Sequence, residues 1–136
     1  LKFEKKIIKN NLIIALETDI NPHELKDFLK DFNKKTVSVN YDMGDSAYHS
    51  FDVKEEFLSY GHLISNVHIK DCTPENYTVQ LGTGNVDFDK VFQLLKDNDY
   101  TQDFILQAAR GKDDVQTANN QLNFVKTYIS KYFKWI

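Results

Sequence analysis

Four short apolar runs, each followed by a helix-start signal and an amphipathic pattern, constrain this chain more than any other feature of it. The runs are "LIIALETD" (12–19), "TVSVNYD" (36–42), "NVHIKD" (66–71) and "DFILQAA" (103–109). They are short and mostly apolar, which suits strands buried on both faces of a parallel sheet. After the first run, Asn21 can cap a helix, Pro22 fits its first position and Glu24 its third. Leu25, Phe28, Leu29 and Phe32 then fall on one helical face. Asp52 with Glu55 opens "VKEEFLSYGHLI", and Asp87 caps "FDKVFQLLKDND". The stretches "MGDSAYHSF" and "TPENYTVQLGTGN" read as loops. At the end of the chain, Val115, Ala118, Leu122, Val125, Ile129, Tyr132 and Ile136 step by three and four, predicting a long helix laid on the rest of the fold. The opening "LKFEKKIIKNN" reads as the tail of a preceding helix.

Strands alternating with helices of this length predict an α/β fold with a parallel sheet and right-handed crossovers. No linker, low-complexity tract or second domain interrupts the pattern, so residues 1–136 form a single partial domain. Four βα units are half of a (β/α)8 TIM barrel, whose usual length is ~250 residues.

Composition narrows the function classes. The 136 residues are 41% hydrophobic and 27% charged, which fits a globular chain with its own core. The net charge of −3, with scattered basic residues, gives no electrostatic reason to bind nucleic acid. The aromatics show no base-stacking pattern. No apolar run approaches the ~20 residues of a membrane span, and the N-terminal stretch lacks the apolar middle of a signal peptide. Cys72 is the single cysteine, which excludes an internal disulfide and suits a reducing compartment, so a cytoplasmic location is expected. No nucleophile signature surrounds it.

The strand ends carry the chemistry. The first run stops at Glu17, Thr18 and Asp19, and the second at Asp42. The third carries His68, Lys70 and Asp71, and the fourth carries Gln107 with Arg110 just beyond. Glu17, Asp42 and His68 are 25 and 26 residues apart, about one βα unit each. Equivalent points therefore recur on neighbouring strands, at the carboxyl edge where ligands and catalytic groups collect in parallel sheets. Two carboxylates and an imidazole converging there make a divalent-metal site, suited to Mn²⁺, Mg²⁺, Co²⁺ or Zn²⁺. Taken singly, the same residues also serve as helix caps, solvated loop acids or a core histidine. Lys70 and Arg110 can neutralise a phosphate or a developing oxyanion, or pair with local acids. The backbone N–H groups of Gly82 and Gly84 in "LGTGN" can hold an anion, or the glycines can simply turn the chain tightly. His49 and His62 read as surface or structural.

The segments "ALETD", "VNYDMGDSA", "VHIKD", "VQLGTGNVDFDKVFQLLKDNDY" and "FILQAARG" resemble the second half of xylose-isomerase-like barrels, over residues 12–130. The nearest kinds are sugar and sugar-phosphate isomerases and epimerases, such as hexulose-phosphate isomerase and ribulose-phosphate 3-epimerase. The resemblance implies the C-terminal half of the barrel and one divalent metal held by Glu17, Asp42, His68 and Gln107. The family's fourth ligand is a second Glu, and Gln107 stands in its place. An amide oxygen can coordinate a metal but cannot act as a general base. The implied reaction is proton transfer next to a carbonyl through an enediolate, with Glu17 as the base and Lys70 assisting, and Lys70, Arg110, Gly82 and Gly84 touching the substrate. Losing the second base suits a one-base isomerase better than a two-base epimerase. Asp45 stands where the family carries Asn after "DMG". The abasic-site endonuclease branch would need more metal ligands and a basic surface.

Half a barrel leaves two sheet edges open. The missing N-terminal half-barrel, or a second copy of the chain, is the expected partner beside a small sugar or sugar phosphate. A fragment of a longer chain is the favoured explanation. A non-catalytic barrel remnant that binds a sugar or a partner protein is the alternative function.

Overall fold

The structure is a computed structural model, and it describes residues 3–133. Its centre is one four-stranded parallel sheet in the order β1-β2-β3-β4, with β1 Ile14–Leu16, β2 Val37–Asp42, β3 Ile64–Ile69 and β4 Phe104–Leu106. The helices are α1 Glu4–Lys9, α2 Pro22–Leu29, α3 Met43–Tyr48, α4 Val53–Tyr60, α5 Phe88–Asp97 and α6 Asp114–Tyr132. The expected four βα units and the parallel pairing are present, and the N-terminal stretch holds the short helix α1.

The starts of the helices follow from their caps. The Asn21 side chain accepts from the N–H groups of His23 and Glu24, the Asp52 side chain from those of Lys54 and Glu55, and the Asp87 side chain from that of Lys90. Leu25 and Leu29 of α2, Phe57 and Tyr60 of α4, Val91, Phe92 and Leu95 of α5, and Val125 of α6 are buried with Val37, Val39, Tyr41, Val67 and Ile69 of the sheet. These alternate strand residues define the helix-facing side of the sheet; Asn40, Asp42, Asn66 and His68 lie on the other.

Three expectations need correction. "MGDSAYHSF" is not a loop: its first six residues form α3, because the Asp42 carboxylate accepts from the Asp45 N–H and caps a turn the moment β2 ends. The strand bounds differ: β3 begins at Ile64, earlier than the expected residue 66, while β1 and β4 are only three residues each within the expected 12–19 and 103–109 and, lying at the edges, are largely exposed rather than buried. In α6 the docked face takes in the expected Val125, Ile129 and Tyr132 together with Gln121, Phe124 and Tyr128, while Val115 and Leu122 are exposed. Ring contacts set that rotation: Phe124 meets Phe88, and Tyr128 stacks on Phe92, at 5.0 and 5.3 Å between centroids. Ile136 lies outside the described residues.

A register shift between β2 and β3 decides which side chain stands opposite Asp42. Val39 pairs with Ile64 but Asn40 pairs with Asn66, so β3 carries one extra residue, Ser65. Had the Val39–Ile64 register run on unshifted, Asp42 would sit opposite Val67, which faces the helices. With the shift, Asp42 sits opposite His68.

Candidate metal centre

Glu17, Asp42 and His68 meet at the carboxyl edge of the sheet. His68 Nδ1 lies 3.1 Å from Glu17 Oε2 and 3.6 Å from Asp42 Oδ2. One ligand atom from each residue lies within 4.8 Å of the other two. That span closes onto one ion with small side-chain adjustments, given metal–ligand distances of about 2.0–2.2 Å. Glu17 is partly exposed, His68 largely covered and Asp42 buried.

Asp42 divides its two oxygens between two tasks. Oδ1 accepts from the Asp45 N–H at 2.9 Å and holds α3. Oδ2 is buried and, among the described residues, has no hydrogen-bond partner. A buried carboxylate oxygen without a donor is unfavourable unless a cation reaches it. Burial pushes the Asp42 carboxyl above its ordinary value. The Asp45 and Glu17 charges add to this, and the Asp45 N–H and the Lys70 ammonium oppose it. A divalent ion would relieve both the missing partner and the crowding of charge, and two carboxylates with one imidazole form a donor set that suits one.

Asn40 carried no mark in the sequence pattern, yet it is part of the site. Its side-chain nitrogen donates to Glu17 Oε2 and lies 3.3 Å from each ring nitrogen of His68. Its Oδ1 accepts from Asn66 at 2.7 Å, which fixes which end of the amide faces the site. The usable signal is its place two residues before Asp42, hence on the same face of β2.

Lys70 reaches the rim beside these groups. Its ammonium is 2.6 Å from Asp45 Oδ1 and 3.8 Å from Asp42 Oδ2. Burial works against the Lys70 charge, but the hydrogen bond to Asp45 and the fields of Asp42 and Asp45 outweigh it and raise its pKa. The Gln107 N–H donates to Ile69 O, which sets Gln107 at the end of β4 beside β3, with its side chain exposed. Arg110 is exposed in the following loop. Gly82 and Gly84 do not offer their amides to an outside anion. Both N–H groups donate to Asp71 Oδ2, at 2.9 and 2.8 Å, so the anion "LGTGN" holds is the chain's own carboxylate. Cys72 is buried and donates its thiol to Gly44 O. Among the described residues, no helix is long and apolar enough to cross a membrane.

The chain matches the model of the xylose isomerase-like TIM barrel family over residues 5–128, and it belongs to that family. Solved structures agree on the fold. A xylose isomerase domain protein from Planctomyces limnophilus superposes with a TM-score of 0.79 at 18% identity, over 96% of this chain and 51% of that one. A D-allulose 3-epimerase from Methylomonas sp. in complex with D-allulose gives 0.68 at 23% identity, over 87% and 47%. The IOLI protein, in a structure with a zinc atom, gives 0.67 at 17%, over 83% and 44%. No curated protein matches significantly. The chain spans about half the length of these solved relatives.

Proposed function

We propose that this chain is the metal-holding half of an isomerase or epimerase that acts on a sugar or sugar phosphate. The observation that carries the reading is the convergence of Glu17, Asp42 and His68 around the unpartnered, buried Asp42 Oδ2. Its relatives' names and the D-allulose complex support the substrate class. A divalent ion here, Mn²⁺, Zn²⁺, Mg²⁺ or Co²⁺, would polarise substrate oxygens and stabilise the charge that develops on them.

The chain's own groups do the rest. Glu17 presents a partly exposed carboxylate, held by the Asn40 amide, that takes a proton from the carbon beside the substrate carbonyl. The C–H electron pair becomes the new C=C bond, and the carbonyl π pair moves onto its oxygen, giving an enediolate. Glu17 then returns the proton to the neighbouring carbon, while the hydroxyl proton of the first carbon passes to the former carbonyl oxygen, so that the first carbon carries the new carbonyl. Gln107 would offer its amide oxygen as a fourth donor to the ion, and an amide accepts no proton, which favours one-base transfer on one face. Lys70 and Arg110 take the substrate's anionic oxygens or phosphate. The remaining half of the barrel supplies most substrate contacts. Gln107 is also what favours the second reading, a non-catalytic remnant that binds a sugar or a protein.

Titration calorimetry with Mn²⁺ tests the centre. Glu17→Gln and His68→Ala should each weaken Mn²⁺ binding at least ~10-fold, as loss of a ligand does when few donors remain. Unchanged affinity in both would reject the centre. Deuterium uptake from solvent into a bound ketose, followed by NMR and lost in Glu17→Gln, separates the isomerase from the remnant.

A further inference from the structure

The Lys70 ammonium sits between two carboxylates, in contact with one and just short of the other. It is 2.6 Å from Asp45 Oδ1 and 3.8 Å from Asp42 Oδ2, the same oxygen that has no hydrogen-bond partner among the described residues. Its stem lies flat over Gly44. A Cβ at that position would meet Lys70 Cγ at 2.7 Å and Cδ at 2.9 Å. The stem is thus seated on the first turn of α3, and the ammonium has a short arc in which to move. Among the described residues, the carboxylates within 4.0 Å of the ammonium are those of Asp45 and Asp42.

We propose that Asp45 is a positioning residue that tethers the Lys70 ammonium away from Asp42 Oδ2 and so keeps that oxygen open for the metal ion. Lys70 and the ion are rival cations for one buried oxygen. An ammonium that closed the remaining gap would give Asp42 Oδ2 its missing partner and satisfy the site without metal. Asp45 prevents this by offering a nearer, more exposed carboxylate. The same tether leaves Lys70 at the rim, where a substrate oxygen can reach it. A lysine this close to a metal centre can thereby remain cationic without occupying the centre.

This inference rests on the metal-centre reading, and the two can fail separately. Calorimetry with Mn²⁺ alone is run on the wild type, Asp45→Asn, Lys70→Met and the double variant, with far-UV circular dichroism to confirm folding. Asp45→Asn should weaken Mn²⁺ binding about tenfold, the scale of losing a group that supports a ligand. In the Lys70→Met background the same substitution should have little effect, because no rival cation is left to release. If Asp45→Asn weakens binding equally in both backgrounds, Asp45 acts only through its charge and the proposal is overturned. A second measurement needs no metal: the Asp42 side-chain ¹³Cγ resonance should move in Asp45→Asn and move far less when Lys70 is Met. An Asp42 resonance that responds equally with and without Lys70 overturns the tether. A wild type that binds no Mn²⁺ while the resonance behaves as expected refutes the metal centre and supports the tether.

Discussion

Asp71 has no exposed surface, and four backbone amides point at its carboxylate: Cys72 and Val86 donate to Oδ1, Gly82 and Gly84 to Oδ2. One residue therefore folds the long connection from β3 to α5 back onto the end of β3, next to His68 and Lys70. The glycines follow from that geometry. Gly82 has a φ of +83°, and a Cβ at Gly84 would overlap Asp71 Oδ1. Asn at position 71 would keep one acceptor oxygen and aim an N–H₂ group at amides that need an acceptor. Asp71→Asn should lower stability by about 3 kcal/mol, since two of the four amides lose their acceptor. The midpoint of urea unfolding measures this, and an unchanged midpoint would show that the loop is held by other means.

At the scale of elements, α3 and α4 are joined behind the site by Glu56. This buried carboxylate accepts from Ser46 of α3 at 2.5 Å, Tyr60 at 2.7 Å and Tyr41 of β2 at 3.0 Å. Burial pushes its carboxyl above the ordinary 4.5, against the pull of those three hydroxyls. The native state then holds the proton more tightly than the unfolded chain. The stabilisation it brings is complete below 4.5 and is lost as pH rises through the raised native value. Urea unfolding of wild type and Glu56→Gln across this range should show the variant gaining relative stability as pH rises; parallel curves would contradict a buried, titrating Glu56. Neither Glu56 nor α3 was legible in the sequence, for one physical reason. A short helix capped by the last residue of a strand has no periodic pattern, and a glutamate partnered by hydroxyls from β2, α3 and its own helix looks like any helix-surface acid. The strands, the longer helices and the trio of Glu17, Asp42 and His68 were legible because capping and one-unit spacing are local or regular signals. Asn40 was not, since its role depends on Asn66 and Glu17, which other strands bring to it.

For the whole molecule, the outer edges of β1 and β4 have no strand partner among the described residues, while β2 and β3 are paired on both sides. Large exposed apolar side chains gather at these edges. Leu12, Ile13 and Ile14 are 57%, 59% and 44% exposed at the first, and Ile105 and Leu106 are 44% and 36% exposed at the other. Apolar side chains on unpaired strands are an unfavourable surface for a free protein in water and invite further strands. The related structures are about twice as long, so the proposed occupant of both edges is a half-barrel of four further βα units. The 136-residue chain alone should then bind a hydrophobic dye strongly and self-associate in light scattering. Joined to four such units ahead of it, it should be compact and lose most of the dye signal, because each edge strand gains a parallel neighbour and the apolar side chains leave water. A chain that is monomeric and silent to the dye by itself would show that its edges are protected without a partner, and the half-barrel account would fail with it.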